Sequence, residues 1–187
     1  MMRKPIYIDF GKTLPVAHRG LSFIERENTM PAFIAAGNRP YYGIETDIHI
    51  TSDGKFVCCH DHNTGRVAGG DAMVIEETSF DTLRSLLLTD IDGAKGRCDI
   101  RIPTLAEYIT VCRDYEKQCI LELKGTFSSE KLSEVVDIIK GLGYLDGSST
   151  VIAIIFHLQV RFVLRFFATF LKKSRPKNFQ KGVYKTE

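Results

Sequence analysis

Short apolar runs alternate with stretches of helical periodicity along most of this chain, and that alternation constrains its fold more than any other feature. Residues 14–17, 42–50, 56–59, 118–123 and 151–156 read as strands. Helices are predicted after Glu27-Asn28-Thr29, with Thr29 as N-cap and Met30, Phe33 and Ile34 as its apolar face, and near residues 80–88. A third begins after Pro103, where Thr104 and Glu107 form a capping box. A fourth follows Ser128/Ser129, carries Leu132, Val135, Val136 and Ile139 at helical spacing, and is stopped by Gly141 and Gly143. Strands and helices in this order predict an α/β fold with a largely parallel sheet. One junction must differ: residues 51–55 are too few for a parallel crossover, so the strands on either side form an antiparallel hairpin. With Asp53-Gly54 as a two-residue turn, Asp47 falls opposite His60 and Glu45 opposite His62.

The polar residues that interrupt this pattern fall at strand ends: His18 and Arg19, Glu45 and Asp47, His60, then Glu122 and Lys124. Along 42–50 the alternation puts Glu45, Asp47 and His49 on one face and Ile44, Ile48 and Ile50 on the other. Two carboxylates on one strand face repel unless a cation lies between them. Three carboxylates at strand ends suit a hard divalent cation such as Mg²⁺ or Ca²⁺. Two histidines beside it can act as general acid and base, and Arg19 and Lys124 supply fixed positive charge for a phosphate. This is a site for metal-assisted phosphodiester cleavage. Simpler roles stand beside each assignment: His18 as a hydrogen-bonded strand-end histidine, Glu45 and Asp47 in a salt-bridge ladder, Glu122 and Lys124 as a mutual pair. His49 and His62 are weaker candidates for support of the metal, with polar packing preferred. Glu27 and Asn28 are expected to order the loop over the site, and His157 to be structural.

At these residues the chain resembles a known family. His18-Arg19-Gly20, Glu27-Asn28-Thr29, Glu45-x-Asp47, Thr51-x-Asp53-Gly54, His60-Asp61 and Glu122-x-Lys124 occur in the order and rough spacing of the glycerophosphodiester phosphodiesterases, as does Ile102-Pro103-Thr104-Leu105. The resemblance implies a TIM-barrel-type phosphodiesterase that hydrolyses glycerophosphodiesters to glycerol 3-phosphate and an alcohol with one divalent cation. It implies His18 and His60 as the acid/base pair, Glu45, Asp47 and Glu122 as metal ligands, and Arg19 and Lys124 as phosphate contacts. The Glu122-x-Lys124 and Glu-Asn-Thr motifs favour this family over related phospholipase-type phosphodiesterases. A non-catalytic metal- or phosphate-binding remnant is the alternative of a different class.

The resemblance fades after about residue 156, where Ile155-Phe156 stands in place of the family's usual Ser-Phe. A full eight-stranded barrel takes about 250 residues, and this chain of 187 reaches the fifth strand and contains no Trp. Residues 1–157 are expected to be the N-terminal portion of the barrel, with a charge balance of −5. Residues 158–187 are expected to be a basic, partly helical tail outside the family pattern, with a balance of +7. Such an incomplete barrel is expected to have impaired activity and to self-associate through open sheet edges. A membrane span at 151–171 is disfavoured by His157, Arg161 and Arg165, and no nucleic-acid partner is expected. Five cysteines without zinc-ligand spacing, and no visible signal peptide, read as reduced thiols in a cytoplasmic protein.

Overall fold

Isoleucines on one side of a strand and acids on the other require two different neighbours, and the architecture supplies them. The computed structural model describes residues 11–144 and the backbone of Val151–Ile155. Its sheet contains β1 (Val16–Ala17), β2 (Gly43–Ile50), β4 (Gln118–Leu123) and β5 (Val151–Ile155) side by side and parallel, with β3 (Phe56–Cys58) antiparallel to the end of β2. Helices α1 (Met30–Gly37), α3 (Leu105–Asp114) and α4 (Ser129–Gly141) lie between successive strands of the chain and cover one face. Ile44 and Ile48 of β2 and Cys119, Leu121 and Leu123 of β4 pack there against Phe33, Tyr108, Ile109, Leu132 and Val135. Full burial of each aliphatic side chain contributes about 1.5–3 kcal/mol, so this face fixes the register of β2. Alternation then turns Glu45 and Asp47 to the opposite face.

Several helix signals act as expected. Thr104 accepts from the Glu107 amide while the Glu107 carboxylate accepts from the Thr104 amide. Ser128 caps α4, whose Leu132, Val135, Val136 and Ile139 are buried. At α1 the details differ. Thr29 occupies the N-cap position, but its hydroxyl donates to the Arg26 carbonyl. Ile34 points outward, and the buried face is Ala32, Phe33, Ala36 and Gly37. Helix α2 (Phe80–Ser85) is shorter than the sequence suggests. The first strand is also reduced: β1 holds two residues, with Leu14 and Val16 exposed and only Ala17 turned into the core.

The hairpin register is shifted by one from the two-residue-turn expectation. Ile48 pairs with Cys58 and Ile50 with Phe56, which leaves Ser52-Asp53-Gly54 as a three-residue loop. The Thr51 amide and hydroxyl both engage Lys55, and Gly54 takes φ +79°, the left-handed conformation that such loops require. Asp47 therefore lies opposite Cys59, whose amide donates to the Asp47 carbonyl. His60 does not pair opposite it. Residues beyond β3 build a second, smaller core in which Val57, Val67, Ile75, Leu83, Leu88, Ile100 and Ile102 are buried. Cys58, Cys59, Cys112 and Cys119 are buried as small apolar groups, and Cys98 is exposed.

Phe156, His157 and the basic segment 158–187 lie outside the described residues. Among the described residues no helix is long and apolar enough to cross a membrane.

Candidate active site

The site is assembled from the loop after β1, the inner face of β2, the segment after β3 and the end of β4. Asp47 and Glu122 are directly paired residues on neighbouring parallel strands, so their side chains project side by side. Glu45, one alternation earlier, joins them. One oxygen from each of the three lies within 4.8 Å of the others.

The His18-Arg19-Gly20 loop turns sharply because two successive residues are left-handed, Arg19 at φ +56° and Gly20 at φ +77°. The turn aims the Arg19 amide at Glu45 Oε2 (2.9 Å) and leaves His18 Nε2 4.0 Å from the same oxygen. Gly20 has a second constraint: a Cβ there would sit 2.7 Å from the Ala32 carbonyl carbon at the start of α1. Gly20→Ala should therefore destabilise the fold by more than the roughly 1–3 kcal/mol of a strained left-handed residue alone. Denaturant unfolding checks this, and a loss below 1 kcal/mol would show that the loop adapts.

Asn28, itself left-handed at φ +52°, donates its amide to Asp47 Oδ2 (2.9 Å) and accepts from the Thr46 hydroxyl (2.8 Å). It orders the loop, as expected, and also touches a candidate ligand directly. Arg19 Nε lies 3.3 Å from Asp47 Oδ2, and its Nη1 donates to Glu27 Oε1 (3.1 Å). Lys124 donates to Glu122, and its Nζ stands 3.0 Å from Asp47 Oδ1. The Glu122–Lys124 pairing and the shared site are thus both present.

Asp47 has 0% exposure, and its Oδ1 accepts no aligned hydrogen bond although the Lys124 ammonium is close. Burial, with Asp47 and Glu122 adding like charge, pushes the Glu45 carboxyl up to about 7. A buried carboxylate oxygen without an aligned donor, beside a Glu45 carboxyl that resists ionisation, fits a hard divalent cation. His18 is held below its ordinary value by partial desolvation and by Arg19 beside it, although its side chain remains largely exposed.

The Glu45 shift predicts how stability depends on pH in the metal-free protein. A carboxyl raised from 4.5 to about 7 stabilises the fold fully below its unfolded value, and that contribution is lost as pH rises through 7. The loss is on the order of 3 kcal/mol. Chelator-treated protein should melt lower at pH 8 than at pH 5.5, Glu45→Gln should flatten that slope, and added Ca²⁺ should raise Tm more at pH 8. An identical slope in Glu45→Gln would remove Glu45 from this role.

His60 follows β3 at the level of the acids, its Nδ1 2.7 Å from Asp61 Oδ1 and its carbonyl 3.4 Å from His49 Nε2. His49 is buried, with Nδ1 3.8 Å from Glu76, and the exposed His62 meets Asn63. Neither joins the carboxylate trio. Sequence reasoning missed Arg66, which bonds both Asp61 and Glu27. Its only signal was a position six residues past His60.

A partial α/β barrel with its acids gathered on the face away from the helices belongs to the TIM-barrel-type phosphodiesterases. Residues 18–159 match the glycerophosphoryl diester phosphodiesterase family, and the chain belongs to that family. It is 37% identical over 140 residues to an uncharacterized protein of Mycoplasma genitalium, covering 71% of this chain and 54% of that protein. It is 34% identical over 111 residues to mouse glycerophosphodiester phosphodiesterase 1, covering 59% of this chain and 33% of the mouse protein. The corresponding enzyme of Caldanaerobacter subterraneus is 34% identical over 114 residues, covering 61% and 46%. The chain thus spans a third to about half of the length of these curated relatives. Its fold matches a glycerophosphodiester phosphodiesterase of Agrobacterium tumefaciens with a TM-score of 0.67 at 23% identity, covering 84% of this chain and 64% of that one. It matches an Oleispira antarctica phosphodiesterase, solved with the product sn-glycerol-3-phosphate, at TM-score 0.63 and 27% identity, covering 78% and 58%.

Proposed function

We propose that this site catalyses cation-dependent hydrolysis of glycerophosphodiesters to glycerol 3-phosphate and an alcohol. The observation that carries the reading is the trio of buried Glu45 and Asp47 with part-buried Glu122, one oxygen of each within 4.8 Å of the others, flanked by His18. The product bound to the Oleispira relative supports the choice of substrate class. The three carboxylates would hold one Mg²⁺ or Ca²⁺, which when bound supplies positive charge to the phosphoryl oxygens. His18 and His60 form the acid/base pair: one takes the proton of the attacking oxygen and the other delivers a proton to the leaving alkoxide. Arg19 and Lys124, already turned toward the acids, contact the phosphate and offset its charge.

The test is release of glycerol 3-phosphate from glycerophosphocholine by the full chain. Release is expected with Mg²⁺ or Ca²⁺, is abolished by chelation and returns when the cation is restored. Hydrolysis indifferent to chelation would sink the cation-dependent reading. Cation binding without hydrolysis would instead mark a non-catalytic binding site.

A further inference from the structure

Arg66 is the residue whose placement the assigned roles do not explain. Its guanidinium is a two-sided fork. Nη1 and Nη2 donate to the two oxygens of Glu27, each at 2.8 Å, and Nε donates to Asp61 Oδ2 at 2.7 Å. Both carboxylates lead into the site. Glu27 also accepts from Arg19, which lies against Asp47, and Asp61 presents its other oxygen to His60 Nδ1 at 2.7 Å. From this we infer that Arg66 is a positioning residue that clamps Asp61 against His60 Nδ1, leaving His60 Nε2 as the nitrogen that exchanges a proton with substrate. The inference rests on the proton-transfer role proposed for His60.

The physical argument runs through Asp61. Against the burial that opposes it, hydrogen bonds from Arg66 and His60 hold its carboxyl down to about 2, so it is ionised throughout the neutral range. An ionised carboxylate has no proton to donate, so a neutral His60 must carry its own proton on Nδ1. The neighbouring backbone is held as well, since the buried His49 ring meets the His60 carbonyl at 3.4 Å. Without Arg66, Asp61 would lose the donor on its far oxygen and could swing into solvent, releasing the ring to either tautomer. A lysine would keep the charge but not the fork that engages two carboxylates at once. Arg66 also ties the loop between β1 and α1, through Glu27, to the segment after β3. The same contact therefore sets the position of His60 relative to the Arg19 side of the site.

The ring nitrogens of His60 can be read without turnover. ¹⁵N NMR of the full chain above the imidazole titration range, with the signal assigned by its loss in His60→Ala, should show a single Nδ1–H tautomer. Arg66→Gln and Arg66→Lys should each convert it to a mixture while leaving the Ca²⁺ titration in place. The Arg66 side chain is 45% exposed, so both variants are expected to fold. In the hydrolysis assay both should lower kcat by part of the roughly 10²–10⁴-fold of a general acid or base, with KM nearly unchanged. A single unaltered tautomer in Arg66→Gln, with turnover still lost in His60→Ala, would overturn the inference alone. Undiminished turnover in His60→Ala would instead remove the proton-transfer reading, and with it the purpose assigned to Arg66.

Discussion

Asp47→Asn should abolish detectable binding of Ca²⁺ or Mg²⁺ in a calorimetric titration that shows one site in the parent protein. Asp47 is the fully buried member of the trio and the point where Asn28, Arg19 and Lys124 converge. An amide in its place keeps the shape but offers one oxygen without formal charge, and a hard cation depends on charged oxygen donors. Glu45→Gln should weaken the same site. Asn28→Ala, which takes the amide support from Asp47 and the acceptor from Thr46 but removes no candidate ligand, should cost about 10–100-fold in affinity. That ordering separates ligand from support. If the double variant Glu45→Gln, Asp47→Asn binds as well as the parent, the three carboxylates are a charge cluster neutralised by Arg19 and Lys124 and hold no metal.

The histidines give the second large effect. His18→Ala and His60→Ala should each lower turnover by about 10²–10⁴-fold, the usual range for a positioned general acid or base. Cation binding should survive in both, since neither ring belongs to the carboxylate trio. The two variants should differ in stability. His18 is largely exposed and its loss should leave the unfolding transition near that of the parent. His60 is bonded to Asp61 and lies against His49, so His60→Ala should loosen the segment after β3. Steady-state kinetics beside denaturant unfolding would show whether rate and stability part company in this way. Equal turnover in the parent and either variant would exclude that histidine from the chemistry.

Much of this protein is legible in its sequence because the determining interactions are local or periodic. Ile44, Ile48 and Ile50, in phase along the strand, fix which face of β2 meets the helices, and the same alternation turns Glu45 and Asp47 to the other face. Thr104 with Glu107, and Ser128 with Lys131, mark helix starts because each cap closes within one turn. Glu45 and Asp47 lie within β2 and the other charged residues of the site at or just past strand ends, and their order along the chain carries the family resemblance that residues 18–159 bear out.

What tertiary structure decided are the contacts whose partners lie far apart in sequence or whose geometry turns on one residue of slack. The hairpin register moved by one because Thr51 closes the loop onto Lys55 through side chain and backbone together, a choice that pattern alone does not express. Ile34 turned outward because Ala32, Phe33 and Ala36 supply the buried face of α1. The second core under the segment after β3 has no period to betray it, since apart from Val57 of β3 its residues come from turns, loops and short helices. Glu122 met Asp47 only when β4 docked beside β2, seventy-five residues away in the chain but adjacent in the sheet. Arg66 found Glu27 across 39 residues of sequence, by a bond between two loops that no local propensity encodes. The residue types that can do the chemistry are written along the chain, and the relative positions that let them act together exist only once the sheet has formed.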